Sequence, residues 1–145
     1  MYKRILVPID GSDTSNLALK EAIALAKDQH SRLRLFHVVD LTTAYSAVNA
    51  PHVVEHQNAL QAEGQQVITG ASEPVLAAIQ FDSKCVTAFD KRIYDLIDEQ
   101  ANQWPADLIV IGTHGRRGIR RLFLGSVAEG LARISSNPLL LIRGA

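Results

Sequence analysis

The sequence predicts an α/β fold, an open, doubly wound sheet of five parallel strands. Two observations lead there. Five short apolar runs alternate with segments of helical periodicity, giving the order βαβαβαβαβ. The runs are also continuously apolar rather than alternating, which is the mark of strands buried on both faces by helices. No linker, internal repeat or low-complexity tract divides the 145 residues, so 1–145 reads as one domain.

The elements follow in order. Lys3 to Ile9 is the first strand, and Asp10-Gly11-Ser12-Asp13 is a turn. Leu17, Ala18, Ala22, Leu25 and Ala26 recur at helical spacing through about Gln29, with Ser12 or Asp13 placed as the cap. Leu33 to Val39 is the second strand. Leu41 to Ala50 is polar and loose, and Pro51 suits the first position of a helix. From Val53 the Ala, Gln, Glu and Leu content favours helix. Gly64, Gly70 and Pro74 interrupt it, so the expectation is a helix ending near Gly70 with a short continuation after Pro74. Lys84 to Phe89 is the third strand. Asp90 is placed to cap a helix that runs to about Trp104, with Ile93, Leu96 and Ile97 inward. Leu108 to Gly112 is the fourth strand, Thr113 to Gly125 a Gly- and Arg-rich loop, Ser126 to Ser135 a helix, and Leu139 to Ile142 the fifth strand.

Composition bounds the function. Apolar residues make up 47% and charged residues 21%, and 15 basic residues balance 15 acidic ones. No global field draws such a chain to nucleic acid or to an anionic membrane. The apolar residues Ile5 to Ile9 near the start are too few for a signal peptide, and no run approaches a membrane span, so the cytoplasm is expected. The single cysteine, Cys85, excludes an internal disulfide and reads as a small buried hydrophobe.

In a doubly wound sheet, ligands bind beyond the carboxyl ends of the strands where the strand order reverses. If the strand order is the five-stranded 3-2-1-4-5 arrangement, that point lies between strands one and four. Two polar, glycine-bearing loops meet there: Pro8-Ile9-Asp10-Gly11-Ser12, and the loop from Gly112 to Ser126. Gly112 and Gly115 let backbone amides approach a ligand, and Gly125-Ser126 opens a helix whose N-terminus favours phosphate. The Ser126 hydroxyl can add a hydrogen bond. Neither a Walker A loop nor a dinucleotide fingerprint is present. Glycines placed for turns in an ordinary βα connection would look much the same.

The spacing Gly112-x₂-Gly115-x₉-Gly125-Ser126 resembles the ATP-binding signature of the universal stress protein family. Ile5-Leu6-Val7-Pro8-Ile9-Asp10-Gly11-Ser12 resembles that family's opening strand and turn, Phe36-His37-Val38-Val39 its second strand, and Ala106 to Gly115 its fourth. Gly125-Ser126-Val127-Ala128-Glu129 and Asn137-Pro138-Leu139-Leu140-Leu141-Ile142 extend the match over nearly the whole chain, weakly between about 44 and 90. The resemblance implies an adenine nucleotide alpha hydrolase-like fold, a role in stress response, and bound ATP, with or without Mg. It further implies that Asp10 holds the ribose hydroxyls. Pro8, Ile9 and Val38 or Val39 would line the adenine slot. Gly112, Gly115, Gly125, Ser126 and Val127 would wrap the phosphates, with Ile111, His114 and Arg116 beside them. A carboxylate is a good acceptor for two hydroxyls, although Asp10 could instead cap a helix. One departure is Phe89-Asp90-Lys91-Arg92, where family members usually carry a glycine. A homodimer through the C-terminal strand is also implied.

Other signals are weaker. Arg116, Arg117, Arg120 and Arg121 could clamp an anion or simply be solvated. Without interleaved aromatics they do not suggest nucleic acid. His52-Val53-Val54-Glu55-His56 matches a zinc-protease pattern with no third ligand in view, and reads as coincidence. A receiver-type signalling domain would use Asp10 and Asp90, but has no need of the glycine signature. Slow ATP hydrolysis or self-phosphorylation stays open, although no nucleophile–base pair or acidic metal pair is evident.

Overall fold

The computed structural model describes residues 1–41, 50–114 and 124–144. Five strands form one sheet: β1 (Arg4–Pro8), β2 (Arg32–Asp40), β3 (Phe81–Ala88), β4 (Leu108–Gly112) and β5 (Leu139–Ile142). Their order is β3-β2-β1-β4-β5, and every pairing is parallel. The expected topology is the observed one. Among the described residues the connecting helices are α1 (Asp13–Gln29), α2 (Ala50–Leu76), α3 (Ile93–Gln103) and α4 (Ser126–Ile134).

Alternation along the strands divides the core in two. Ile5, Val7, Leu33, Leu35, Leu108 and Val110 face one way, against Ala18, Leu19, Ala22 and Ala26 of α1 and Ile68 and Val75 of α2. Leu6, Phe36, Ile109 and Ile111 face the other way, against Ile97 and Ala101 of α3 and Leu131 of α4. Side chains two apart share a sheet face, so consecutive apolar residues feed both layers at once. That is why the strands read as unbroken apolar runs.

Helix starts follow local chemistry in one case and not in another. Ser12 caps α1, its hydroxyl accepting the Ser15 amide at 3.2 Å, and Asp13 supplies an acid to the first turn. The α1 chain ends at His30 in the left-handed region (φ 55°). Asp90 does not cap α3. Arg92 holds that position, without a side-chain cap. Ile97 is buried and Ile93 packs on the core beside it, whereas Leu96 is half-exposed and lies outside both core layers.

Two expectations in the middle of the chain fail for physical reasons. The α2 helix does not end near Gly70 but continues through Gly64, Gly70 and Pro74 to Leu76. Pro74 sits in the last turn, where its missing N–H forfeits only the bond to the Gly70 carbonyl, while Ile68 and Val75 anchor the turn in the core. The third strand begins at Phe81, not Lys84. After Phe81 come the polar Asp82, Ser83 and Lys84, which an edge strand tolerates. Asp82 there receives two hydrogen bonds from its register partner Arg34, at 2.6 and 2.9 Å. Arg34 also stacks 4.7 Å over Trp104.

Candidate functional site

The β1–β4 junction is assembled around the turn after β1. At its start, the Ile9 amide donates to the Phe36 carbonyl at 2.8 Å. The buried His37 ring lies with Nδ1 2.6 Å from the Ile9 carbonyl. The Asp10 amide donates to Ser15 Oγ at 3.1 Å, and Asp10 Oδ1 accepts the Ser12 amide at 2.9 Å. Asp10 therefore shapes the turn before α1 with one oxygen, while Ser12 does the capping. Gly11 takes φ 81°, a value that favours glycine in such a turn.

Thr14 ties this turn to the opposite loop. Its hydroxyl donates to the His114 carbonyl. A Cβ on Gly112 would meet the Thr14 backbone at 2.9 Å. Gly112 is thus required where the start of α1 passes the end of β4, and the close approach it permits is to protein backbone. Across the sheet, the Thr113 amide donates to the Ile142 carbonyl at 2.9 Å. Thr113 Oγ1 and His114 Nδ1 lie 3.0 Å apart.

The end of the glycine loop returns to the same place. The Gly125 amide donates to the Thr113 carbonyl at 2.6 Å, and a Cβ on Gly125 would lie 2.7 Å from that oxygen. Gly125 is the N-cap of α4 and provides no side-chain cap. Ser126 is the first residue of the helix and exposed. The Glu129 amide donates to the Gly125 carbonyl at 2.9 Å, so the amides of Ser126, Val127 and Ala128 precede the first intrahelical donor. Glu129 in this first turn is paired with Arg133 at 2.7 Å.

The expected site residues sort as follows. Pro8 ends β1 and is buried, as is Ile9. Val38, Ile111 and Val127 meet in the core layer under α3 and α4. Val39 points to the other layer, where Gly64 of α2 comes so near that a Cβ there would lie 2.7 Å from Val39 Cγ2. Between the two valines, Val38 is the one on the side of Ile111 and Val127. Gly115, Arg116 and the remaining arginines of the loop lie outside the described residues. Sequence reasoning missed Thr14 and His37, since a threonine in a first turn and a histidine in an apolar strand carry no motif of their own.

Two other readings change on this geometry. In a receiver the third strand lies beside the first, in the order 2-1-3-4-5. Here β3 is at the edge beyond β2, so Asp90 does not join Asp10 at a switch point, and the receiver alternative falls. His52, Glu55 and His56 are exposed on α2. Among the described residues no group of three or more His, Cys, Asp or Glu side chains is placed to hold a metal ion. Cys85 is half-buried rather than buried, and desolvation pushes its thiol above the ordinary value. No described helix is long and apolar enough to cross a membrane.

Comparison with known proteins decides the family. The model of the Universal stress protein family matches residues 1–143. The chain belongs to the universal stress protein family. Among its relatives, universal stress protein YxiE of Bacillus subtilis is 31% identical over 150 residues, covering 99% of this chain and 100% of that protein. The solved structure of hypothetical protein MJ0577 has a TM-score of 0.86 at 26% identity, covering 100% of this chain and 98% of its own. A universal stress protein solved in complex with cAMP gives a TM-score of 0.65 at 23% identity over 99% of each chain, a likeness of fold.

Proposed function

We propose that this chain is an ATP-binding stress-response protein that holds the nucleotide at the switch point between β1 and β4, as a ligand or switch rather than a rapidly hydrolysed substrate. One observation carries the reading. The Asp10 turn and the start of α4 are both fixed to the end of β4, through the Thr14 bond to the His114 carbonyl and the Gly125 bond to the Thr113 carbonyl. On this reading Asp10, as acceptor for ribose hydroxyls, and the first amides of α4, as donors to phosphate, would serve one ligand at the end of β4. That a universal stress protein of like fold was solved in complex with cAMP supports an adenine nucleotide as the ligand class.

The residues fit the ligand in kind. Asp10 would accept from the ribose, and the amides of Ser126 to Ala128, with the helix dipole behind them, would take the phosphates. Pro8, Ile9 and Val38 would flank the base. A magnesium ion, where present, would be carried by phosphate oxygens and water rather than by a protein cage. The sequence offers no evident nucleophile–base pair or acidic metal pair to activate a water, and positioning is the larger share of phosphoryl-transfer catalysis. The chain is proposed to act in the cytoplasm as one domain and as a homodimer through β5, with a protein partner downstream.

Titration calorimetry with ATP and Mg²⁺ tests the reading, and one site per chain is expected, with AMP weaker. Phosphate release under single-turnover conditions should fall far below the roughly 1–100 s⁻¹ of kinases. Release within seconds would instead establish an ATPase, and absence of any heat or displacement with ATP would end the nucleotide assignment.

A further inference from the structure

We infer that His37 is a positioning residue for the nucleotide site, acting on Asp10 through the Ile9 carbonyl. This rests on the ATP-binding reading above and adds a residue to it. His37 is 8% exposed and stands in the apolar layer between β2 and α2, where a histidine without a polar task is costly. Its Nδ1 lies 2.6 Å from the Ile9 carbonyl oxygen. A carbonyl can only accept, so Nδ1 carries the proton and the ring donates.

The bond falls on the peptide that joins Ile9 to Asp10. On one side of Ile9, its amide is held by the Phe36 carbonyl; beyond the peptide, the Asp10 amide is held by Ser15 Oγ. Past Pro8 the β1 strand has ended, and among the described residues no backbone amide of β2 is seen donating to the Ile9 carbonyl. His37 supplies the missing tie, so the Ile9–Asp10 peptide plane is held at both its amide and its carbonyl. The orientation of the Asp10 carboxylate towards the ribose follows from that plane.

The ring is in turn fixed from behind by α2. A Cβ on Gly64 would come within 3.2 Å of His37 Cδ2 and 2.7 Å of Val39 Cγ2, so only glycine lets the helix close over the ring. Gly64 therefore belongs to the same device as His37.

His37→Phe keeps the flat apolar body and removes the donor, and His37→Asn returns a donor near the Nδ1 position. ATP affinity should fall roughly five- to tenfold in His37→Phe, the worth of one hydrogen bond, and recover in His37→Asn. With 2′,3′-dideoxy-ATP, which offers Asp10 no hydroxyl, His37→Phe should bind as the wild type does. An equal loss for both ligands, or no recovery in His37→Asn, would overturn the inference. Nitrogen-15 NMR of the wild-type ring gives a test independent of variant folding. A ring protonated at Nδ1 is expected, and protonation at Nε2 alone would refute the donor role. Wild-type protein that binds neither ligand would instead remove the ATP reading, and this inference with it.

Discussion

At the scale of single residues, the site turns on groups that do two jobs. Asp10 accepts the Ser12 amide with Oδ1 and so supports the turn. Asp10→Asn keeps that acceptor and loses the charge. Its melting temperature should stay within a degree or two of wild type while ATP affinity falls about ten- to a hundredfold, the range of a hydrogen bond to a charged group. Equal affinity by calorimetry would take the ribose away from Asp10. Cys85 poses a simpler question. Burial raises its thiol above the usual value, so the neutral form persists through neutral pH and the thiolate grows in only on the alkaline side. Alkylation by iodoacetamide near pH 7.5 should be slower than that of an exposed cysteine peptide. Because the folded value is the higher one, any stability linked to the thiol is full below the unfolded pKa and declines as pH rises through the folded one. The chemistry at this scale was legible in part. Asp10, Gly125 and Ser126 stand out by type and spacing, whereas His37 and Thr14 matter through partners a hundred or so places away or across strands, which sequence order hides.

At the scale of elements, α2 shows why glycines mislead. Read along the chain, Gly64, Gly70 and Pro74 look like breaks, because each lowers helix propensity. In three dimensions the two glycines differ. Gly64 faces Val39, His37 and Cys85 at contact distance, while a Cβ on Gly70 would meet nothing within 4 Å. Substitution by alanine should therefore move stability in opposite directions. Gly70→Ala removes backbone freedom from the unfolded chain and should add about 0.5–1 kcal/mol, seen as a rise of roughly 2–4 °C in the melting temperature. Gly64→Ala gains the same propensity but forces Val39 or the helix aside, an overpacking that typically costs about 1–3 kcal/mol. Melting temperatures that rise in both variants would show that α2 is not seated as described. The same logic applies to Gly112 and Gly125, whose missing Cβ atoms face the Thr14 backbone and the Thr113 carbonyl. A bulky residue at Gly125 would then disturb the fold locally as well as the ligand, so lost binding in Gly125→Val does not by itself locate a phosphate. The start of β3 was misread for a related reason. An edge strand tolerates Asp82 and Lys84, and the tie from Arg34 to Asp82 is a cross-strand contact that no run of apolar residues announces.

At the scale of the whole molecule, the sheet has two edges, and they are finished differently. The β3 edge carries Asp82 and Lys84 near its start, charges that discourage pairing with another chain. The β5 edge is Leu139-Leu140-Leu141-Ile142, with Leu140 and Leu141 38% and 36% exposed. Its ladder to β4 uses the Pro138 and Ile142 carbonyls, accepting from Ile109 and Thr113. Alternation then turns the N–H and C=O of Leu139 and Leu141 outward, away from β4. A second copy related by a twofold axis can meet those groups antiparallel, and the pairing satisfies both copies at once. The protein is accordingly expected to sediment as a dimer at micromolar concentration. Leu141→Pro removes an outward donor without touching the bonds to β4, and Leu140→Lys sets two like charges close together across the axis. Both variants should run as folded monomers, with far-ultraviolet circular dichroism like that of the wild type. A wild-type monomer in that concentration range, or a dimer that survives both substitutions, would leave β5 as a plain apolar edge and place any assembly elsewhere.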